Sequence, residues 1–184
     1  MSRKKREDSK DSLLKEILDY VVTIAVVVGL MLLLQNFVII NAQIPSASME
    51  TTVMTGDRIF GNRLAYLKSD PKRFDIVIFR FPDDESKLYI KRIIGLPGET
   101  VDVVDGKVYI NGSQEPLDDS FCRETPNGDY DGHWVVDDNG YFMMGDNRND
   151  SWDSRCWVHT FVQRDKILGK ALLRYWPFTK IKMF

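Results

Sequence analysis

From Tyr20 to Ile40 the chain carries no charged residue, and Val, Ile and Leu dominate the stretch. A helix of about 20 residues rises roughly 30 Å, the thickness of a bilayer's hydrocarbon core, so the first predicted element is a transmembrane helix over 20–40. Two alternatives exist for such a run. A cleavable secretory signal also has a basic start and an apolar middle, but its apolar region runs about 7–15 residues. A buried soluble helix seldom strings together so many β-branched residues without a polar face. Ahead of the run, Ser12-Leu13-Leu14-Lys15-Glu16-Ile17-Leu18 predicts a helix start. Ser12 serves there as N-cap, Lys15 stands where a capping box wants Glu, and Leu14, Ile17 and Leu18 have helical spacing.

Beyond the apolar run the pattern predicts strands. Phe74 to Phe81 and Leu88 to Ile94 are rich in β-branched and aromatic residues and are separated by the polar turn Pro82 to Ser86. Val101 to Val104 and Lys107 to Ile110 flank Asp105-Gly106, a hairpin signal of type I′. Trp134 to Val136 and Tyr141 to Met144 flank Asp137 to Gly140 and predict a second hairpin with a longer loop. Ile167 to Trp176 supplies a closing strand, and Leu117 to Gly132 reads as an irregular surface loop. The expected fold is therefore mainly β behind a single N-terminal transmembrane helix. Residues 1–19 form a basic tail, 20–40 the anchor and 41–184 the outer domain.

Charge orients this arrangement. Arg3-Lys4-Lys5-Arg6 precedes the span, and Asn41 to Asp57 contain no Lys or Arg. The positive-inside tendency then puts the N-terminus in the cytoplasm and the domain on the outer face of the cell membrane. A net charge of −2 argues against nucleic acid as a partner. Cys122 and Cys156 lack the spacing of a zinc site, and with only His133 and His159 present no metal or other cofactor is expected. An outer compartment permits a Cys122–Cys156 disulfide, and the sequence leaves that pairing open.

Three stretches carry candidate chemistry. Ile44-Pro45-Ser46-Ala47-Ser48-Met49 brings two hydroxyls to the point where the chain leaves the bilayer, with Pro45 fixing its own φ and keeping Ile44 extended. Taken alone, it reads as a polar linker. Lys91 shares a strand face with Tyr89 and Ile93, and Arg92 shares the other with Ile90 and Ile94. A buried lysine loses part of its basicity and can take a proton from a hydroxyl, which a guanidinium cannot. An ordinary lysine snorkels instead. Gly145 to Arg155 is dense in donors and acceptors, as either a solvated loop or a buried polar network would be.

Together, Pro45-Ser46-Ala47-Ser48-Met49 after an anchor, Tyr89-Ile90-Lys91-Arg92-Ile93-Ile94-Gly95-Leu96-Pro97-Gly98-Glu99, and Gly145-Asp146-Asn147-Arg148 through Asp153-Ser154-Arg155 resemble the successive boxes of type I signal peptidases, in the compact Gram-positive form. The resemblance implies a serine–lysine dyad, with Ser48 as nucleophile and Lys91 as general base. Ser46 would lend its hydroxyl to the oxyanion hole beside the Ser48 N–H. Ser151 would hydrogen-bond and orient Lys91, and Asp146, Asp153 and Arg155 would support the loop. The fold implied is a β-rich catalytic core with a small β insertion at about 101–142. Its substrates would be signal peptides of exported preproteins, cut after an Ala-X-Ala ending as they emerge near the secretion translocon. They would lie as an extended strand against Ile44, Pro45, Met49, Tyr89 and Ile90.

Glu50 departs from the family pattern by standing where Pro usually follows the Met, and it is expected to face solvent. Asn149-Asp150 inverts the commoner order. No role for Cys156 follows from the motif. Two other functions fit the same residues: a processing peptidase dedicated to one exported substrate, or an impaired scaffold that only binds exported peptides.

Overall fold

A computed structural model describes the backbone of residues 2–184 and the side chains of residues 13–184. The chain divides into two units, residues 1–38 and 39–184. The first is one helix, α1 (Ser2–Phe37). It does not start at Ser12, because nothing from Ser2 onward breaks it: the tail is rich in Lys, Arg and Glu and free of Gly and Pro before Gly29. The basic side chains of 3–6 lie outside the described residues. Leu13–Phe37 is long and apolar enough to cross a membrane, and its Val, Ile and Leu side chains are exposed around the helix.

The second unit is β-rich. Its strands are β1 (Ile39–Gln43), β2 (Arg58–Asn62), β3 (Ile76–Phe81), β4 (Asp84–Gly95), β5 (Thr100–Val104), β6 (Lys107–Ile110), β7 (Gly132–Val135), β8 (Gly140–Met144), β9 (Val162–Gln163), β10 (Ile167–Trp176) and β11 (Lys182–Met183). An eight-stranded sheet runs β1-β2-β10-β3-β4-β8-β9, with β11 added to β10, and a three-stranded sheet runs β6-β5-β7. Thus β10 joins the two halves of the large sheet, and the small sheet is inserted between β4 and β8. Asp105 and Gly106 both have positive φ, the conformation a two-residue hairpin turn demands.

One expected hairpin does not form. β7 pairs with β5, Thr100 opposite Val135, whereas β8 pairs with β4, Arg92 opposite Met144. The turn closed by Gly140 N–H to Asp137 O carries the chain from one sheet to the other. Tyr141 and Phe142, read from sequence with the insertion, consequently belong to the large sheet.

Both faces of β4 are covered. Ile93 joins Val77, Phe79, Phe81, Met143 and Trp157 on the Lys91 side, with Tyr89 packed against them. On the other side of the strand, Ile90 packs with Ile44, Met49, Val53, Ile59, Ile76 and Ile78. β8 pairs with β4 only from Arg92 onward, so Leu88–Lys91 keeps a free edge opposite β3. β1 pairs with β2 alone. These unpaired edges frame the site.

Candidate active site

Ser48 sits in a single 3-10 turn, Ala47–Met49, capped by the extended Ser46. The turn is pinned at both ends by apolar burial. Ile44 packs into the core before it, and Met49, with 0% exposure, anchors it from behind. Ile44 is fixed further by its N–H to Asp57 O at 2.9 Å and by Gly56 N–H to Ile44 O at 2.8 Å. The family resemblance places Met49 on the substrate surface, and the structure does not. The tight turn directs its side chain inward, and it belongs to the core.

Lys91 Nζ is hydrogen-bonded directly to Ser48 Oγ, and Ser46 Oγ lies 3.4 Å from the same Ser48 Oγ. Lys91 is 3% exposed and Ser48 7%. Burial is the main cause that pushes the Lys91 pKa down to about 8 from the ordinary 10.5. The charge of Asp153 opposes the shift, Arg155 adds to it, and Asp146 opposes it again. A neutral amine is therefore accessible near neutral pH, and with it a bond in which Ser48 Oγ–H donates to Nζ.

The loop after β8 closes the site from below. Arg155 forms a bidentate pair with Asp153, Nε to Oδ1 at 2.8 Å and Nη2 to Oδ2 at 2.9 Å, and the Gly145 N–H donates to Asp153 at 3.0 Å. Asp146 accepts from Arg92 Nε at 2.8 Å and Nη2 at 2.6 Å, and from Thr52 Oγ1 at 2.5 Å. One carboxylate thus ties β4 to the turn leaving the nucleophile. Ser151 Oγ is buried and forms no hydrogen bond among the described residues, so the expected bond to Lys91 is absent. A Cβ on Gly145 would collide with Ser151 Oγ and with Ser48 O, and the glycine is what allows the loop to lie this close.

A cleft of about 540 Å³ opens over the dyad. Its lining includes Ile44, Pro45, Ser46, Tyr89 and Ile90, along with the unforeseen Asp150 and Trp152. Trp152 is 58% exposed there. Glu50 accepts from Thr55 N–H at 3.2 Å and Thr55 Oγ1 at 2.9 Å, so its carboxylate caps its own turn and is not among the charges acting on Lys91.

Other supporting residues carry no local sequence signal. Phe121 stacks on Arg92, its ring centre 4.1 Å from the guanidinium carbon, and Asp119 pairs with Arg148. Both come from the stretch read as a surface loop. The buried Arg174–Asp57 pair, at 2.9 Å, braces the chain below the nucleophile turn. Cys122 and Cys156 are both free thiols, and burial raises each pKa, that of Cys122 to about 11.

The family model described as signal peptidase, peptidase S26, matches residues 17–176. The probable signal peptidase I-2 of a Synechocystis species is 42% identical over 154 residues, covering 80% of this chain and 68% of that protein. Signal peptidase I of Bacillus amyloliquefaciens is 35% identical over 188 residues, 97% of this chain and 98% of that one. Signal peptidase I S of Bacillus subtilis is 34% identical over 176 residues, 91% and 94%. With a match spanning nearly the whole chain, this protein belongs to the signal peptidase family, peptidase S26.

Proposed function

We propose that this protein is a membrane-anchored endopeptidase that removes signal peptides from exported preproteins, with Ser48 as nucleophile and Lys91 as general base. The observation that carries the reading is the direct contact of Lys91 Nζ with Ser48 Oγ in a site where burial brings the lysine pKa to about 8. Neutral Nζ takes the Ser48 proton as Oγ attacks the scissile carbonyl, and the resulting ammonium returns it to the leaving amine. The acyl-enzyme is then hydrolysed by water activated by the same amine. Ser48 N–H and Ser46 Oγ–H are the donors for the developing oxyanion. Ser151 Oγ, buried and without a partner among the described residues, is the hydroxyl we assign to orienting the charged lysine.

The free edges of β4 at Leu88–Lys91 and of β1 suit an extended peptide that adds as a strand. Alternate residues then face the apolar floor of Ile44, Ile78 and Ile90, which favours small side chains before the cut, as in an Ala-X-Ala ending. Leu13–Phe37, apolar and long enough to cross a bilayer, supports a single membrane span. With the basic residues before the span on the cytoplasmic side, the catalytic unit faces outward, near the translocon from which preproteins emerge. The Glu50 carboxylate, satisfied by Thr55, favours a working site over a binding scaffold.

The test is cleavage of an exported preprotein by detergent-solubilised full-length protein. Wild type is expected to cut after a small residue, and Ser48→Ala and Lys91→Ala to leave the preprotein intact. Cleavage by either variant at a rate near wild type contradicts the dyad.

A further inference from the structure

The two peptide units that meet at Ser48 are gripped by one residue of the loop after β8. The Asn147 N–H donates to Ser48 O at 3.1 Å, and Asn147 Nδ2 donates to Ala47 O at 3.2 Å. The Glu50 N–H donates to the same Ala47 O at 2.9 Å. The peptide between Ala47 and Ser48 is trans, so its C=O and N–H point in opposite directions in one plane. Fixing the Ala47 carbonyl therefore fixes the direction of the Ser48 N–H. That amide opens a 3-10 turn and has no acceptor within it, so it can donate to a group arriving in the cleft.

Asn147 can hold this grip because its neighbours are braced. Asp146 is clamped by Arg92, Arg148 Nε donates to Gly145 O at 3.2 Å, and the Asp150 N–H donates to Asn147 O at 3.1 Å. Gly145 lets the loop run against the nucleophile's carbonyl, where any side chain would intrude. None of the hydrogen bonds of Asn147 goes to Lys91, so its grip acts on the peptide planes and not on the base.

We propose that Asn147 is a positioning residue that aims the Ser48 N–H at the oxyanion formed in peptide hydrolysis, a role that rests on the serine–lysine reading above. Its effect belongs to the transition state, because the ground-state peptide is held by strand edges and the apolar floor. Removing an entire oxyanion donor typically costs about 100- to 1000-fold in kcat. Tilting one, while Glu50 N–H still holds Ala47 O, is expected to cost about 10- to 100-fold.

The experiment compares full-length wild type, Asn147→Ala and Asn147→Asp in detergent, the last keeping the side-chain shape but removing the donor. Three readouts are taken: kcat and KM on a preprotein, inhibition by a short peptide ending in an alanine aldehyde, and binding of the same peptide with its scissile carbonyl reduced to methylene. With the aldehyde, Ser48 Oγ adds to the carbonyl carbon, its proton passes to Lys91 Nζ, and the carbonyl electron pair becomes the oxyanion. The reduced peptide forms no oxyanion. Expected in both variants are the fall in kcat, a parallel loss of aldehyde affinity and reduced-peptide binding within about twofold of wild type, with the pH profile unmoved in Asn147→Ala and displaced to higher pH in Asn147→Asp, whose carboxylate favours the charged lysine. Unchanged kcat in both variants overturns the proposal. So does a fall in reduced-peptide binding that matches the fall in kcat, which marks a merely structural role. A wild type that neither cuts nor captures the aldehyde overturns the serine–lysine reading itself, and the positioning role with it.

Discussion

Lys91 and Arg92 are adjacent on β4, and both are buried, at 3% and 9% exposure, yet the two faces of the strand treat them in opposite ways. On its face Arg92 is fully partnered: two bonds to Asp146, one from Nη1 to Phe74 O at 2.8 Å, and the Phe121 ring against its plane. Lys91 has one side-chain hydrogen bond among the described residues, to Ser48, and the Tyr89 ring 5.8 Å away. A guanidinium cannot shed its proton, so burying it demands partners, whereas an amine answers the same burial by a lowered pKa. The difference makes one cation a brace and its neighbour a base.

Making the two alike gives the largest effect. Lys91→Arg puts a permanently charged group at Ser48, and cleavage of a preprotein is expected to fall by more than about 10⁴-fold. Folding, followed by thermal melting in detergent, should change far less than activity. On the other face, Arg92→Leu leaves the Asp146 carboxylate buried without its partner, a change that typically costs about 3–5 kcal/mol of stability. Arg92→Leu combined with Asp146→Leu should recover much of that melting temperature, because no unpaired charge remains.

Ser46→Ala sharpens the comparison on the catalytic side. It removes a hydroxyl 3.4 Å from Ser48 Oγ without touching either cation. The variant is expected to lose about 3–4 kcal/mol of transition-state stabilisation, at least a hundredfold in kcat, with the melting temperature held. Rates within a few-fold of wild type would remove Ser46 from the site. Glu50→Ala has the smallest expected effect. It deletes two partly exposed hydrogen bonds to Thr55, worth about 1 kcal/mol or less in melting, and it leaves the pH profile where it was because Glu50 does not act on Lys91.

The sequence was informative wherever structure is local. The turn at Asp105-Gly106 and the β-branched runs of β3, β4 and β10 announce themselves by composition and alternation. β2 is obscured by Gly61, where a Cβ would press on the end of the Ile78 side chain at 2.7 Å and crowd the Lys170 carbonyl at 3.3 Å. β1 follows the apolar helix without a break in hydropathy and hides in its shadow. The mistaken hairpin paired β7 with its neighbour in sequence, whereas β5 had already offered an edge at Thr100–Val103. In the site, the resemblance to the family's boxes singled out Ser46, Ser48 and Lys91, but it could not reveal that Met49 turns inward. Nor could it reveal that Phe121 and Asp119 leave a polar loop to brace two arginines, since those contacts join residues far apart in the chain.

The central claim is that burial turns Lys91 into a base, and the most direct measurement is kcat/KM for a preprotein as a function of pH, which reports the ionisation of the free enzyme. The folded pKa lies below the ordinary value, so the neutral, active form gains as pH rises through it. The rate is expected to climb with pH, to be half-maximal at about 8, and then to level off. A climb centred near the ordinary lysine value of 10.5, or a rate flat across this range, would contradict it.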